Sequence, residues 1–263
     1  MKRYIGIDIG STCAKAIVLN QENEIIYRLL QPTGWSSIDT ALTIRQTLEN
    51  YGLDLTLCPV VATGYGRISV PYADKQVTEI TCHGRGACYI HETDNLTVID
   101  IGGQDTKLIS VAGGMVQDFI MNDKCSAGTG RFLEVMANTL ALSPDQLCRL
   151  AALGGNTSIS SMCTVFAESE VISLIGRGEA KENIAYAVVD SIVKKVVSQA
   201  GRLTLGDTVC LTGGLCEFDY LKESLSKALN RQVTTSPDGR YAGAIGAALQ
   251  ARTIAKKMGG ITV

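Results

Sequence analysis

The chain has 263 residues, 46% of them hydrophobic and 19% charged, with a formal net charge of −2. That is enough chain to bury one large core or two smaller ones, and the near-neutral balance offers no electrostatic reason for a nucleic-acid or anionic-membrane partner. No run approaches the ~18 apolar residues of a membrane span, and Asp8 cuts the first apolar stretch too early for a signal peptide, so the chain reads as cytoplasmic.

Nine cysteines stand at 13, 58, 82, 88, 125, 148, 163, 210 and 216. The number is odd and no Cys-x-x-Cys pair occurs, which argues against a disulfide framework, a zinc ribbon or a single-chain ferredoxin pattern. Most of these thiols are expected to be small buried hydrophobes.

In chain order, Tyr-Ile-Gly-Ile-Asp-Ile-Gly-Ser-Thr-Cys-Ala-Lys-Ala-Ile-Val-Leu over 4–19 reads as strand, glycine turn, strand. Ser36 to Leu48 reads as a helix, Val60 to Thr63 as a buried strand running into a tight loop over 63–67, and Ala73 to Tyr89 as a second helix. That helix carries Cys82, His83 and Cys88, but the two cysteines fall on different faces, so packing explains them better than a metal. His91 has no partner in sequence. Residues 97–111 then repeat the first hairpin. Laying Asp8 on Asp100 also superposes Ile7 on Ile99, Ile9 on Ile101, Gly10 on Gly102, Lys15 on Lys107 and Ile17 on Ile109, all at one offset of 92 residues. This is an internal duplication of two α/β halves, each opening with a hairpin.

Turns of the Gly-Ser-Thr or Gly-Gly-Gln kind can aim successive backbone N–H groups at phosphate oxygens. Asp8 and Asp100 would face each other across a cleft, where two carboxylates suit a hydrated Mg²⁺ bridging the phosphates. Val116 to Met121 reads as a strand and leads to Met-Asn-Asp-Lys-Cys-Ser-Ala-Gly-Thr-Gly-Arg-Phe over 121–132. Here Cys125 precedes Gly128-Thr129-Gly130, so a soft-metal ligand and a glycine turn suited to phosphate share one loop, the joint between a nucleotide site and an iron-sulfur cluster. Cys163, in Cys-Thr-Val-Phe-Ala-Glu-Ser-Glu, is its counterpart. Both precede helical patterns, Arg131 to Leu142 and Ala167 to Ile175, whose N-terminal dipoles favour thiolate. Ile184 to Leu203 reads as a long helix, residues 208–217 as a buried strand running into a Gly213-Gly214 turn before a helix, the paired glycines fit for close approach to a ring or sugar, and Ala242 to Leu249 as the start of a small-faced terminal helix.

The segments Asp8–Lys15, Asp100–Lys107, Ala127–Arg131, Leu211–Leu215 and Gly243–Ala248 resemble the five nucleotide motifs of the acetate kinase, sugar kinase and actin superfamily. Within it, Asn122–Phe132 and Cys163–Glu170 resemble the BadF/BadG/BcrA/BcrD ATPases, the branch of 2-hydroxyacyl-CoA dehydratase activators above all, with Ser126 where Ala is expected. The resemblance implies a duplicated ribonuclease-H-like α/β fold with an ATP cleft between halves 1–93 and 94–242, the helix over 243–263 packing back on the first. It implies an oxygen-sensitive homodimeric ATPase binding ATP/ADP and Mg²⁺, with one [4Fe-4S] cluster per homodimer on Cys125 and Cys163. Single electrons would pass from a ferredoxin or flavodoxin to an iron-sulfur dehydratase or reductase. It further implies Asp8, Asp100 and Gln104 as catalytic, Gln104 positioning the attacking water, and Gly10, Ser11, Thr12, Lys15, Gly102 and Gly103 at the phosphates. Gly128, Thr129, Gly130, Gly213, Gly214 and Glu217 would complete the nucleotide site. Lys15 has a second reading as a solvated strand residue. The alternatives are a small-molecule kinase, for which Asp105 is the available base, and a nucleotide-switched scaffold without redox chemistry.

Overall fold

The strand Tyr4–Ile9 (β1) is buried along its whole length in a computed structural model that describes residues 2–160 and 163–259. Its odd positions Ile5, Ile7 and Ile9 pack with Ala41, Ile44 and Leu48 of the helix Ser37–Asn50 (α1), while Tyr4 joins the cluster around the terminal helix Ala242–Gly259 (α8). Two covered faces explain the near-continuous apolar run. Strands Cys13–Leu19 (β2), Ile25–Pro32 (β3), Val60–Thr63 (β4) and Lys75–Gln76 (β5) complete the sheet in the order β3-β2-β1-β4-β5. The pairs β1–β2 and β2–β3 are antiparallel, and β1–β4 and β4–β5 parallel.

The small residues of α8 let backbones meet. A Cβ on Gly6 of β1 would strike Ala244 O and Ala248 N of α8, one on Gly86 of the helix Glu79–His91 (α2) would strike Ala242 O, and one on Gly246 would strike Cys82 O. Only glycine fits at these three crossings.

The second sheet comprises Leu96–Ile101 (β6), Thr106–Ala112 (β7), Met115–Asn122 (β8), Val209–Gly213 (β9) and Val233–Thr234 (β10), in the order β10-β9-β6-β7-β8. Read from its other edge this is the order of the first sheet with β6 for β1 and β9 for β4, and β9 is likewise parallel to both neighbours. The fold is therefore the duplicated ribonuclease-H-like α/β fold. Around the second sheet lie Gly130–Thr139 (α3), Pro144–Ala151 (α4), Thr164–Gly176 (α5), Lys181–Ala200 (α6) and Asp219–Leu229 (α7). Phe132, Met136, Leu147, Val171, Val188 and Leu221 share one core with the sheet. The start of α4 is set by Pro144 and a capping box between Ser143 and Gln146.

By contacts, one unit takes the described residues of Met1–Asp94, Val111–Val116 and Asp238–Val263, and the other Asn95–Ser110 and Gln117–Pro237. The helix expected over 73–89 begins only at Glu79, because Lys75 and Gln76 are drawn into pairing beside Val61 and Ala62. Of the helix expected over 243–263, positions 260–263 lie outside the described residues. No described helix is long and apolar enough to cross a membrane.

Candidate active site: two matched hairpins and a pair of cysteines

The first turn is closed by Gly10 N donating to Cys13 O at 3.2 Å, and is buttressed by Thr33, just after β3, whose N–H donates to Thr12 O (2.9 Å) and whose hydroxyl donates to Gly10 O (2.7 Å). Asp8, 3% exposed, faces Lys15 Nζ at 3.6 Å. That ammonium also lies 3.5 Å from where a Cβ of Gly10 would stand, so Lys15 leans over the turn rather than out into solvent. Ser11 and Thr12 remain accessible at the tip. Gly64, at φ +86, lies under the Asp8 carboxylate, where no side chain would fit.

The second turn repeats this at the offset of 92 residues: Gly102 N donates to Asp105 O at 2.9 Å, and Lys107 Nζ lies 3.3 Å from Asp100 Oδ2. It adds two constraints. Thr212 Oγ1 donates to Asp100 Oδ1 at 2.8 Å, and Lys107 also pairs with Asp105 Oδ2 at 2.8 Å. Asp100 and Lys107 are 1% and 2% exposed, so the carboxylate is held by two buried partners while Gln104 projects from the turn. Gly213, again at φ +86, repeats the place of Gly64.

The carbonyls of this turn are taken by α3: Gly130 N donates to Gly102 O at 2.9 Å and Arg131 N to Gly103 O at 2.8 Å. The peptide bonds are trans, so the N–H groups of Gly103 and Gln104 point away from α3. Gly130 thus gives its own N–H to the turn, and Thr129 Oγ1 donates within its own loop to Ser126 O at 2.6 Å. Gly128, at φ +84, has its carbonyl bound by Thr106 Oγ1 at 2.8 Å.

Cys163 is the exposed N-cap of α5, with Thr164 as the first helical residue. Cys125, half-buried, precedes α3 by more than a turn, since that helix begins only at Gly130. Ser126 Oγ lies 2.7 Å from Oγ1 of Thr164, the first residue of α5, and sets the two cysteine segments side by side. Asn122 Nδ2 holds the loop from within, donating to Cys125 O at 2.8 Å and Ala127 O at 3.2 Å.

The sequence profile of the BadF/BadG/BcrA/BcrD ATPase family matches residues 5–251. The chain belongs to this family. The (R)-2-hydroxyglutaryl-CoA dehydratase activating ATPase of Acidaminococcus fermentans is 43% identical over 256 residues, 96% of this chain and 98% of its own. A crystal structure of the (R)-2-hydroxyglutaryl-CoA dehydratase component A from that organism superposes with a TM-score of 0.91 at 42% identity, covering 97% of this chain and 100% of the other. The activator of the 2-hydroxyisocaproyl-CoA dehydratase from Clostridium difficile, solved with bound ADPNP, gives a TM-score of 0.91 at 35% identity, covering 99% and 98%.

In this BadF-type ATPase the remaining expected residues follow β9: Gly213 ends the strand, Gly214 is exposed and Glu217 lies in the turn before α7. Thr212, Lys107, Thr106 and Asn122 were not singled out as site residues by the sequence. For Thr212 a signal existed, since Ala-Thr-Gly over 62–64 and Leu-Thr-Gly over 211–213 end equivalent strands of the BadF fold. Cys58, Cys82, Cys148, Cys210 and Cys216 are buried, and burial pushes the Cys82 and Cys148 thiols up to about 12 and the half-buried Cys88 thiol up to about 11.

Proposed function

We propose that this ATPase, working as a homodimer, carries one [4Fe-4S] cluster between two copies of the chain. It would pass single low-potential electrons to an iron-sulfur dehydratase or reductase of the 2-hydroxyacyl-CoA type. The observation that carries the reading is the Ser126–Thr164 contact, which joins two thiol-bearing segments from distant parts of the chain. The activator relatives support the partner class. Two cysteines per chain suit a centre completed by a second copy. The face of α5 beyond Cys163 supports the same arrangement: Val165, Phe166 and Ile172 are 66%, 65% and 56% exposed, an apolar surface that a second copy would cover.

In this reading Cys125 and Cys163 hold the cluster, which supplies one-electron transfer, with a ferredoxin or flavodoxin as donor. Asp8 and Asp100 serve as the carboxylates for hydrated Mg²⁺, the N–H groups of Gly103 and Gln104 take phosphate oxygens, and the Gln104 amide orients the attacking water. Lys15 leans over its turn as a second phosphate-side cation. The kinase alternative is disfavoured because Asp105, its candidate base, is tied to Lys107 at 2.8 Å and folded back over Gly102.

The test is preparation without oxygen, iron and sulfide analysis, and EPR of the reduced protein. About four irons per two chains are expected, lost in Cys125→Ala or Cys163→Ala. Phe166→Asp should shift sedimentation from dimer to monomer. An iron-free wild-type protein that turns over ATP would end the proposal.

A further inference from the structure

Thr106, the first residue of β7, is fully buried, and its hydroxyl donates to Gly128 O at 2.8 Å. This bond joins the strand leaving the phosphate turn to the loop that bears Cys125. Two more run beside it, from Gly130 N and Arg131 N to the carbonyls of Gly102 and Gly103. The peptides whose C=O groups hold α3 are thus those whose N–H groups, on the other side, would meet phosphate in the proposed reading. A trans peptide turns as a rigid plate, so a rotation that improves one set of bonds moves the acceptors of the other. The loop has little slack to absorb such a movement. Gly128 sits at φ +84 with the Lys195 stem where a Cβ would be, Thr129 Oγ1 is bound to Ser126 O, and Asn122 clasps the carbonyls of Cys125 and Ala127. Ser126 in turn meets Thr164, next to Cys163.

We infer that Thr106 is a positioning residue for coupling: through its hydroxyl on Gly128 O, occupancy of the phosphate turn reaches the cysteine loop. The inference rests on the reading of Cys125 as a cluster ligand. Removing the hydroxyl while keeping the volume leaves the turn, the carboxylates and both cysteines in place but frees the loop from the strand.

The experiment compares wild type, Thr106→Val and Thr106→Ser, prepared without oxygen, for iron content, ATP turnover and electrons delivered to a dye acceptor per ATP. The Val variant should keep its iron and hydrolyse ATP, yet deliver on the order of tenfold fewer electrons per ATP. The Ser variant should restore the ratio. Hydrogen exchange of residues 122–131 in the wild-type protein gives a second readout: adding a non-hydrolysable ATP analogue in place of ADP should change protection there, and the change should shrink in Thr106→Val. An unaltered ratio in the Val variant, or an equal loss in the Ser variant, overturns the inference. If the Val variant does not fold, Thr106→Ala takes its place: a lowered ratio there, restored in the Ser variant, upholds the inference, and an unaltered ratio overturns it. An iron-free wild type would defeat the cluster reading instead, and the exchange comparison would still decide whether the turn and the loop are linked.

Discussion

Ser126 Oγ and Thr164 Oγ1 lie 2.7 Å apart, a contact across 38 residues of sequence between the neighbours of Cys125 and Cys163. Its loss in Thr164→Val removes a part-buried hydrogen bond, a net cost of about 1 kcal/mol, or roughly fivefold in an equilibrium. The variant should fold with unchanged secondary structure and release iron to a ferrous chelator several-fold faster than wild type, measured without oxygen. Equal release rates would show that this contact does not hold the cysteine segments together.

The two lysines at equivalent positions should not be equally important. Lys107 is 2% exposed and serves both Asp100 and Asp105, whereas Lys15 reaches Asp8 at 3.6 Å with a side chain 17% exposed. Lys107→Met removes the ammonium 3.3 Å from the buried Asp100 carboxylate and should cost about 3 kcal/mol in urea unfolding. Lys15→Met should cost clearly less. Reversal of that order would refute the assignment of Asp100 as the more rigidly held carboxylate.

The crossing of α2 and α8 makes a backbone prediction. Gly246→Ala drives a methyl into the Cys82 carbonyl and should destabilise by about 2 kcal/mol or more. Gly155→Ala, with nothing within 4 Å of the added carbon, should lie within about 0.5 kcal/mol of wild type. Thermal unfolding of the two variants decides it.

The buried thiols set an alkaline limit. Below about pH 9 Cys82, Cys88 and Cys148 are protonated in both folded and unfolded chains and add no pH dependence. Between there and about pH 11 the unfolded chain loses protons that the fold retains, so stability falls as pH rises. The urea midpoint should therefore drop from pH 8 to pH 10.5. In iron-free protein at pH 8, maleimide should label exposed Cys163 well before Cys82 or Cys148. A flat midpoint across that range would contradict the burial of these groups.

The hairpins are legible in the sequence because each places Asp, Gly and Lys at fixed spacing between β-branched runs, and a duplication in register is hard to produce by chance. The cysteine segments are legible because thiols beside a glycine turn are chemically unusual. The two residues of β5 are not, since they are strand only by pairing with β4, and the run from Ala73 continues the helical pattern that follows. Lys107 aligns with Lys15, but nothing in that alignment announces a second carboxylate at Asp105.

By itself, then, the sequence determined which residues could do chemistry, since side-chain type and local spacing need no tertiary context: two carboxylates after two apolar strands, two glycine turns, two thiols. Only the tertiary structure decided which of them are held and by what. Thr212 reaches Asp100 across 112 residues and Thr106 reaches Gly128 across 22, through hydrogen bonds that exist because strand order and burial bring those atoms together and exclude water from between them.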